Sequence, residues 1–314
     1  MLLDIGILVL GLALVVFGSD WLVDGSSDVA RRSGISEFVI GLTIVGIGTS
    51  TPEMVVSFLG AIEGNADISI GNVIGSNIFN TLLILGCTAL ILPLTITSHA
   101  IKRDIPINLG VTLLLILLGT CDHGPDDSLS RLDGAIMLVL FAGYMYISFK
   151  EGRAEDDVAK PKYKSAVIPS IMIIGGLATL IFGGRLFVDS AVRIARALNW
   201  SDKFIGITIL AGGTSLPELA TCIVAAFKKK GQLALGNILG SNISNILLIL
   251  GGSALIQPLS TGNISWVDMG TLFLSALFIF VSYYTFVKKK LDRIEALCLL
   301  FMEAAYMYIL ISDL

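Results

Sequence analysis

Long apolar stretches alternate with short polar connections along the whole chain. A helix that crosses about 30 Å of hydrocarbon needs about 20 apolar residues. Ten stretches meet this requirement, at about 2–25, 38–62, 68–92, 105–121, 133–150, 166–190, 204–227, 232–257, 266–287 and 294–312. Barrel strands would alternate apolar and polar positions, and segments such as Val111 to Leu118 do not. The pattern predicts an all-α integral membrane protein with ten transmembrane helices.

Composition agrees with a membrane location and excludes several other classes of protein. Charged residues make up 15% of the 314 residues, against about 25% in soluble domains. A formal net charge of -4 leaves no basic surface for nucleic acid. The four cysteines lack paired spacing, so neither a disulfide framework nor a zinc site is expected; they are Cys87, Cys121, Cys222 and Cys298. The first apolar run has no basic segment before it, so we expect no cleavable signal peptide.

The distribution of lysine and arginine predicts the orientation of the helices. Of the 21 basic residues, 16 fall in the connections after predicted spans 1, 3, 5, 7 and 9, and 4 fall on the other side. Cytoplasmic loops carry the excess of positive charge. We therefore expect a multi-pass protein of the cell membrane with both termini outside. The charge-rich stretch at 151–165 becomes a cytoplasmic linker between residues 1–150 and 166–314.

The sequence contains an internal repeat. At an offset of 165 residues, Gly18–Leu94 aligns without a gap with Gly183–Leu259, and 33 of the 77 positions are identical. At an offset of 162, Tyr144-Met145-Tyr146 matches Tyr306-Met307-Tyr308. Each half thus holds five predicted spans. Because five is odd, the second half enters the bilayer inverted, which is the plan of many secondary transporters.

Two carboxylates fall near the centres of predicted spans. Glu53 lies in Ser50-Thr51-Pro52-Glu53 and Glu218 in the repeat-related Ser215-Leu216-Pro217-Glu218. An acidic residue at the bilayer centre costs at least about 2.5 kcal/mol, and such residues mark ion pathways. The local interpretation is a helix-capping box with Ser50 as the cap. The prolines and nearby glycines also predict that each span breaks into two half-helices, which frees backbone carbonyls at Thr49 and Thr214.

A second repeated motif supplies further oxygen atoms. Ser76 and Asn80 lie four residues apart, as do Ser241 and Asn245, so each pair shares one helix face. With Ser50, Ser215 and the two glutamates, these side chains form a set of hard oxygen donors. Ca2+ takes six to eight such ligands, whereas zinc, copper and iron favour histidine or cysteine. Simple hydrogen bonding between helices is the alternative role of the serines and asparagines.

The two motifs, Gly-Thr-Ser-x-Pro-Glu and Gly-Ser-Asn-Ile-x-Asn, each occur in both halves. In this they resemble the two α-repeats of the sodium/calcium exchangers in the cation/Ca2+ antiporter superfamily. The resemblance covers nearly the whole chain and implies Na+/Ca2+ exchange by alternating access, with no cofactor and no enzymatic activity. It implies that three Na+ cross for each Ca2+. By this resemblance, the Ca2+ ligands are Glu53, Glu218, Thr49 and Thr214, and the Na+ sites add Ser50, Ser76, Asn80, Ser215, Ser241 and Asn245.

Departures from the family pattern narrow the expected activity. Members that depend on K+ have aspartate where this chain has Asn245, so K+ cotransport is not expected. Proton-coupled relatives have asparagine where Thr49-Ser50 and Thr214-Ser215 stand, which favours Na+ coupling. The expected partners are small inorganic cations and the lipid bilayer, and we expect the chain to function as a monomer.

Other functions remain open from the residues alone. A Ca2+/H+ antiporter would use the same two glutamates as proton carriers, and a channel would need a continuous pore. An intramembrane hydrolase is disfavoured because His99 and His123 lie in predicted loops. Glu303, in the middle of the last predicted span, has no assigned role. Asp24 and Asp189 are related by the repeat and are expected to be helix caps or interfacial residues.

Overall fold

The chain is almost entirely helical in the computed structural model, which describes residues 2–96, 100–120, 128–152, 161–163, 165–198, 200, 205, 209, 211–261, 264–285 and 290–312. The predictions at His99, His123 and Cys121, and most of the 151–165 linker, lie outside the described residues. The helices are α1 (Leu2–Ser33), α2 (Glu37–Thr49), α3 (Thr51–Ile62), α4 (Ala66–Ile91), α5 (Ile105–Thr120), α6 (Arg131–Glu151), α7 (Val167–Ala197), α8 (Ala211–Thr214), α9 (Leu216–Phe227), α10 (Gly231–Ile256), α11 (Trp266–Thr285) and α12 (Arg293–Ser312).

The described helices have the dimensions of membrane spans. Six of them, α1, α4, α6, α7, α10 and α12, are long and apolar enough to cross a bilayer, and α2 with α3 forms a seventh that is bent by 48°. Helices α5, α9 and α11 lie within the predicted spans 105–121, 204–227 and 266–287, and of these α5 and α9 are shorter, with 16 and 12 residues. Part of 204–227 falls outside the described residues. A helical membrane protein is confirmed, and the count of ten spans stays a prediction.

Burial in this protein is reversed relative to a water-soluble one. On α1, Leu3 and Val9 are 76% and 57% exposed, whereas Ser19 and Ser26 are fully buried. Exposed apolar side chains suit contact with lipid tails, and polar groups inside a bilayer must find partners within the protein. The polar residues of the repeated motifs follow the same rule and lie in the interior.

Glycines bring the two longest helices into close contact. A Cβ atom added to Gly18 of α1 would lie 2.8 Å from the carbonyl oxygen of Gly176 of α7, and one added to Gly176 would lie 2.8 Å from the oxygen of Gly18. Gly11 meets Gly183 in the same way, at 2.9 Å and 3.0 Å. Small residues at a helix interface let backbones approach without side chains between them. Helices α1 and α7 therefore pack antiparallel, with their backbones in direct contact at these glycines.

Two short antiparallel ladders join the two halves of the chain. Strand β1 (Leu94–Thr95) pairs with β4 (Lys290–Leu291), and β2 (Ser128–Leu129) pairs with β3 (Leu259–Ser260). In the first ladder Leu94 lies opposite Leu291, and in the second Leu129 lies opposite Leu259. The ladders fix the ends of four connections that lead into or out of the helices.

The repeat-related helices α4 and α10 have different surroundings. Gly236 and Gly240 of α10 press against α2: an added Cβ would lie 2.1 Å from the carbonyl oxygen of Phe38 and 2.0 Å from that of Leu42, respectively. At the equivalent positions of α4, Gly71 and Gly75, the described part of the chain leaves no atom within 4 Å of an added Cβ. Gly41 and Gly46 of α2 face α10 in turn, so the close approach of these two backbones uses glycine on both helices.

The different surroundings of α4 and α10 predict opposite responses to the same substitution. Gly240→Ala forces the backbones of α2 and α10 apart, and overpacking of this kind costs about 1 to 3 kcal/mol. We expect its melting temperature in detergent to fall by several degrees. In Gly71→Ala the new methyl group lies at an exposed position of α4 and the helix gains about 1 kcal/mol of propensity, so the melting temperature should stay or rise. Equal losses in both variants would contradict the packing described here.

Candidate functional site

Two helix breaks lie at the centre of the molecule. Helix α2 ends at Thr49 and α3 begins at Thr51, so Ser50 forms the joint; Ser215 forms the same joint between α8 and α9. The second residue of each following helix is proline, which has no N–H group to continue the preceding helix. The predicted breaks are confirmed in both halves.

Serine hydroxyls at the two joints bind the carboxylates of the opposite repeat. Ser50 Oγ donates to Glu218 Oε1 at 2.9 Å, and Ser215 Oγ donates to Glu53 Oε1 at 3.0 Å. Ser76 Oγ lies 3.5 Å from the same oxygen of Glu53. Neither Ser50 nor Ser215 makes a side-chain capping bond. The capping-box interpretation is therefore wrong, because the serine hydroxyl is committed to the other half of the chain.

Both carboxylates are completely enclosed. The exposed fractions of Glu53 and Glu218 are 0% and 1%. One oxygen of each, Oε2, has no hydrogen-bond partner among the described residues. A buried polar atom without a partner is rare and needs an explanation, and the binding of an ion is one such explanation. Each glutamate thus has, in the protein interior, one oxygen without a partner among the described residues.

Further oxygen atoms near these carboxylates also lack partners. Asn80 Oδ1, Asn245 Oδ1 and Thr214 Oγ1 are buried and, within the described part of the chain, accept no hydrogen bond. Carboxylate, amide and hydroxyl oxygens are the hard donors that Ca2+ and other hard cations prefer. The five unpartnered oxygens form a donor set of the chemical type that the sequence predicted.

Thr49 and Ser241 face the backbone of α2. Thr49 Oγ1 donates to the carbonyl oxygen of Val45 at 3.0 Å, and Ser241 Oγ donates to that of Gly46 at 3.2 Å. Both side chains are fully buried. The structure therefore brings all ten predicted site residues to the two joints and the adjoining parts of α4 and α10; nine are buried and Thr214 is half-buried.

Two asparagines that the sequence analysis did not select hold the site together. Asn245 Nδ2 donates to Asn77 Oδ1 at 3.0 Å, and Asn80 Nδ2 donates to Asn242 Oδ1 at 3.2 Å. Asn77 and Asn242 are the third residues of the two Gly-Ser-Asn-Ile-x-Asn motifs. Their identity in both repeats was the signal available. The sequence alone did not indicate that they bridge the repeats.

The helix geometry changes at the two candidate ligand asparagines. Asn80 begins a π-helical segment that ends at Ile84, and Asn245 begins one that ends at Leu250. Single π-turns inside α-helices occur frequently at functional sites. The wider turn changes the direction of the side chains that follow. Both α4 and α10 therefore depart from regular α-helical geometry at the candidate ligand asparagines.

Glu303 lies apart from this site. Its exposed fraction is 6%, and its Oε2 atom has no partner among the described residues. It stands on α12 and makes no hydrogen bond with the two joints in the part of the chain that the structure describes. Its role stays unassigned.

Comparison with known proteins identifies the family. The model of the sodium/calcium exchanger protein family matches residues 3–150 and 168–312. The sodium/calcium exchanger MaX1 of Methanosarcina acetivorans is 34% identical to this chain, over 97% of each sequence. The chain belongs to the sodium/calcium exchanger family. A membrane protein of Methanocaldococcus jannaschii is 38% identical to this chain over 90% of each sequence.

A solved structure has the same fold as this exchanger. The sodium-calcium exchanger NCX_Mj, soaked with zero Na+ and Ca2+, superposes with a TM-score of 0.85 at 35% identity, over 100% of this chain and 99% of that chain. The family consists of transporters, so the exchanger is not an enzyme. Sodium/calcium exchangers carry these ions without a cofactor, and the ions are therefore cargo.

Neutralising either buried carboxylate tests the site. Glu53→Gln or Glu218→Gln replaces a charged oxygen with an amide group, and we expect either change to abolish Na+-dependent 45Ca uptake into vesicles. Glu295→Gln is a matched control: Glu295 is also buried, but it caps α12 by accepting from the Asp292 amide at 3.0 Å. The control should keep its uptake. Wild-type uptake in Glu53→Gln or Glu218→Gln would contradict a cation site that needs both carboxylates.

Proposed function

We propose that this chain exchanges Na+ for Ca2+ across the membrane by alternating access and that the exchange moves net charge. The observation that carries the proposal is the pair of enclosed glutamates, Glu53 and Glu218, each with one bonded and one unpartnered carboxylate oxygen. The family to which the chain belongs supports the identity of the two cations.

Electrostatics supplies the coupling between the ions. Two carboxylates in a low-dielectric interior are costly unless their charge is cancelled. One Ca2+ or at least two Na+ cancels it, and an empty site does not. The empty protein should therefore switch only slowly between opening to one side of the membrane and opening to the other. Transport of one ion then requires transport of the other ion in the opposite direction. This requirement is what makes the protein an exchanger and not a uniporter.

Net charge movement follows if three Na+ cross for each Ca2+, as the family resemblance implies. One extra positive charge then crosses in each cycle, and moving it is worth about 2.3 kcal/mol per 100 mV. The rate and direction of exchange should respond to membrane potential.

The proposed ligands are those implied by the family resemblance. Asn245 is neutral in this chain, so the site holds two carboxylates and no third. The proposed Ca2+ ligands are Glu53, Glu218, Thr49 and Thr214, and the proposed Na+ ligands are Ser50, Ser76, Asn80, Ser215, Ser241 and Asn245. All contribute oxygen atoms.

The proposed architecture is ten spans in two inverted five-helix repeats, residues 1–150 and 166–314, joined by the cytoplasmic linker 151–165. The two ladders support it, because they are related by the repeat offsets. Leu94 and Leu259 differ by 165 positions and Leu129 and Leu291 by 162, so the pair Leu94–Leu291 maps onto Leu259–Leu129. In the proposed topology the first ladder lies inside and the second outside. Both termini lie outside, and the functional unit is a monomer.

A charged cluster supports alternating access between the two faces. Lys228, just after α9, forms ion pairs with Asp20 and Asp24 of α1, both at 2.7 Å. Asp24 thus has an ion-pair partner near the proposed cytoplasmic face. The repeat places Arg185 at the position of Asp20 and Glu63 at the position of Lys228, so the charges are exchanged. Both are exposed, and among the described residues no ion pair joins them. We infer that Arg185 and Glu63 pair when the opposite face closes.

Removing one member of each charged pair should shift the conformational balance in opposite directions. Lys228→Gln weakens closure of the cytoplasmic face, so the apparent affinity for Ca2+ should rise on that side and fall on the outside. Because exposed ion pairs contribute about 1 kcal/mol or less, the change should be about two- to fivefold. Glu63→Gln should do the reverse. The measurement is KM for Ca2+ in right-side-out and inside-out vesicles, and parallel changes on both sides would contradict the exchange of ion pairs.

A Ca2+/H+ antiporter is the alternative function, because the same glutamates could carry protons. The two functions separate in vesicles that lack Na+. We expect an outward Na+ gradient to drive 45Ca uptake and an imposed pH gradient without Na+ to drive none. Uptake driven by the pH gradient alone would favour the proton-coupled alternative.

A further inference from the structure

The candidate ligands Asn80 and Asn245 face a problem that carboxylates do not. An asparagine amide has one oxygen and one nitrogen end of nearly equal size, and only the oxygen can bind a cation. An amide that turns over presents N–H groups and repels the ion. A ligand asparagine therefore needs a neighbour that fixes its orientation. In both cases Oδ1 is the buried end without a partner among the described residues.

For Asn245 the orientation follows from a chain of bonds that starts at a backbone group. Asn77 Nδ2 donates to the carbonyl oxygen of Asn242 at 3.1 Å. A backbone carbonyl can only accept, so this bond fixes which end of the Asn77 amide is nitrogen. Asn77 Oδ1 then accepts from Asn245 Nδ2 at 3.0 Å. The oxygen of Asn245 is left as the free end.

The repeat-related bonds fix Asn80 less strictly. Asn242 Oδ1 accepts from Asn80 Nδ2 at 3.2 Å, and Asn242 Nδ2 donates to Thr81 Oγ1 at 2.8 Å. A hydroxyl can donate as well as accept, so the bond to Thr81 is compatible with either orientation of the Asn242 amide. Of the two bridging asparagines, Asn77 is the one whose orientation is set by the backbone.

We propose that Asn77 is a positioning residue for cation binding: it holds the Asn245 amide so that its carbonyl oxygen faces the ions. The proposal rests on the proposed function and extends it to a residue that does not itself contact the cation. The bond between Asn245 and Asn77 requires an amide at position 245. An ionised aspartate there would have no hydrogen to donate to Asn77 Oδ1. A carboxylate at 245 also needs no such neighbour, since both of its terminal atoms are oxygen.

The distinction between an amide and a carboxylate gives a direct test. Asn77→Ala is made in the natural chain and in the Asn245→Asp background. Equilibrium 45Ca binding to each purified protein in detergent is then measured with increasing Na+. With Asn245 present, we expect Asn77→Ala to weaken competition by Na+ about tenfold, the effect of one lost hydrogen bond to a ligand. In the Asn245→Asp background the same change should alter Na+ competition less than about twofold.

Two further variants separate positioning from general loss of packing. Asn108→Ala removes a buried amide of α5 outside the repeated motifs, and it should leave Na+ competition within about twofold of the natural chain. If Asn77→Ala does not fold, Asn77→Ser keeps a polar group in the space but withdraws the acceptor from Asn245, and the same pattern is expected. Melting temperature monitors folding in every variant.

The outcomes are distinct. A large loss with Asn245 and a small one with Asp at 245 supports positioning by Asn77. Equal losses in both backgrounds assign Asn77 to packing and overturn the proposal, as does an absence of loss with Asn245. If the natural chain binds 45Ca without competition from Na+, the proposed function fails and the inference fails with it. Failure of the inference alone therefore requires intact Na+ competition in the natural chain.

Discussion

The enclosure of two like charges is the constraint on which this structure depends. Glu53 and Glu218 have essentially no exposure to solvent, and each is bound by a serine from the opposite half of the chain. The breaks at Ser50 and Ser215, each followed by a proline two residues later, place these hydroxyls within hydrogen-bond distance of the opposite carboxylate. The unpartnered oxygens are a consequence of the enclosure. On the proposed function, cations satisfy the oxygens that have no partner among the described residues.

The crossed arrangement of the serines links the two halves of the chain at the site itself. Each carboxylate depends on the opposite repeat for a hydrogen bond, so the two halves must meet correctly for either glutamate to be satisfied. The close packing of α2 against α10 at Gly240 is one contact that positions the two halves relative to each other. Helices α1 and α7 meet each other through glycine, so their backbones are in contact without side chains between them.

Much of this arrangement could be predicted from the sequence, because duplication leaves a direct record. The offset of 165 residues, the prolines after the two joints and the motif spacing indicated the buried glutamates, the breaks and the candidate ligand asparagines. Hydrogen-bond partners could not be predicted in the same way. The spacing Ser50-x-x-Glu53 fits a local cap as well as it fits a bond to Glu218 across the repeat, and only the three-dimensional fold distinguishes them. Asn77 was missed because identity between repeats does not separate a bridging amide from a packing one. The different surroundings of Gly71, which is exposed, and Gly236, which is buried against α2, could likewise not be predicted, since the repeats match at both positions.

Coupling requires that the site formed by the two carboxylates cannot switch the side of the membrane to which it opens unless cations cancel the charge. Vesicles that contain the protein and are loaded with 45Ca can be diluted into alkaline medium that lacks both Na+ and Ca2+, so that protons do not replace the ions. We expect almost no efflux into that medium and rapid efflux as soon as Na+ or unlabelled Ca2+ is added outside. Efflux at a similar rate into the ion-free medium would mean that the empty site reorients freely, and the two carboxylates would then not couple the movements of the ions.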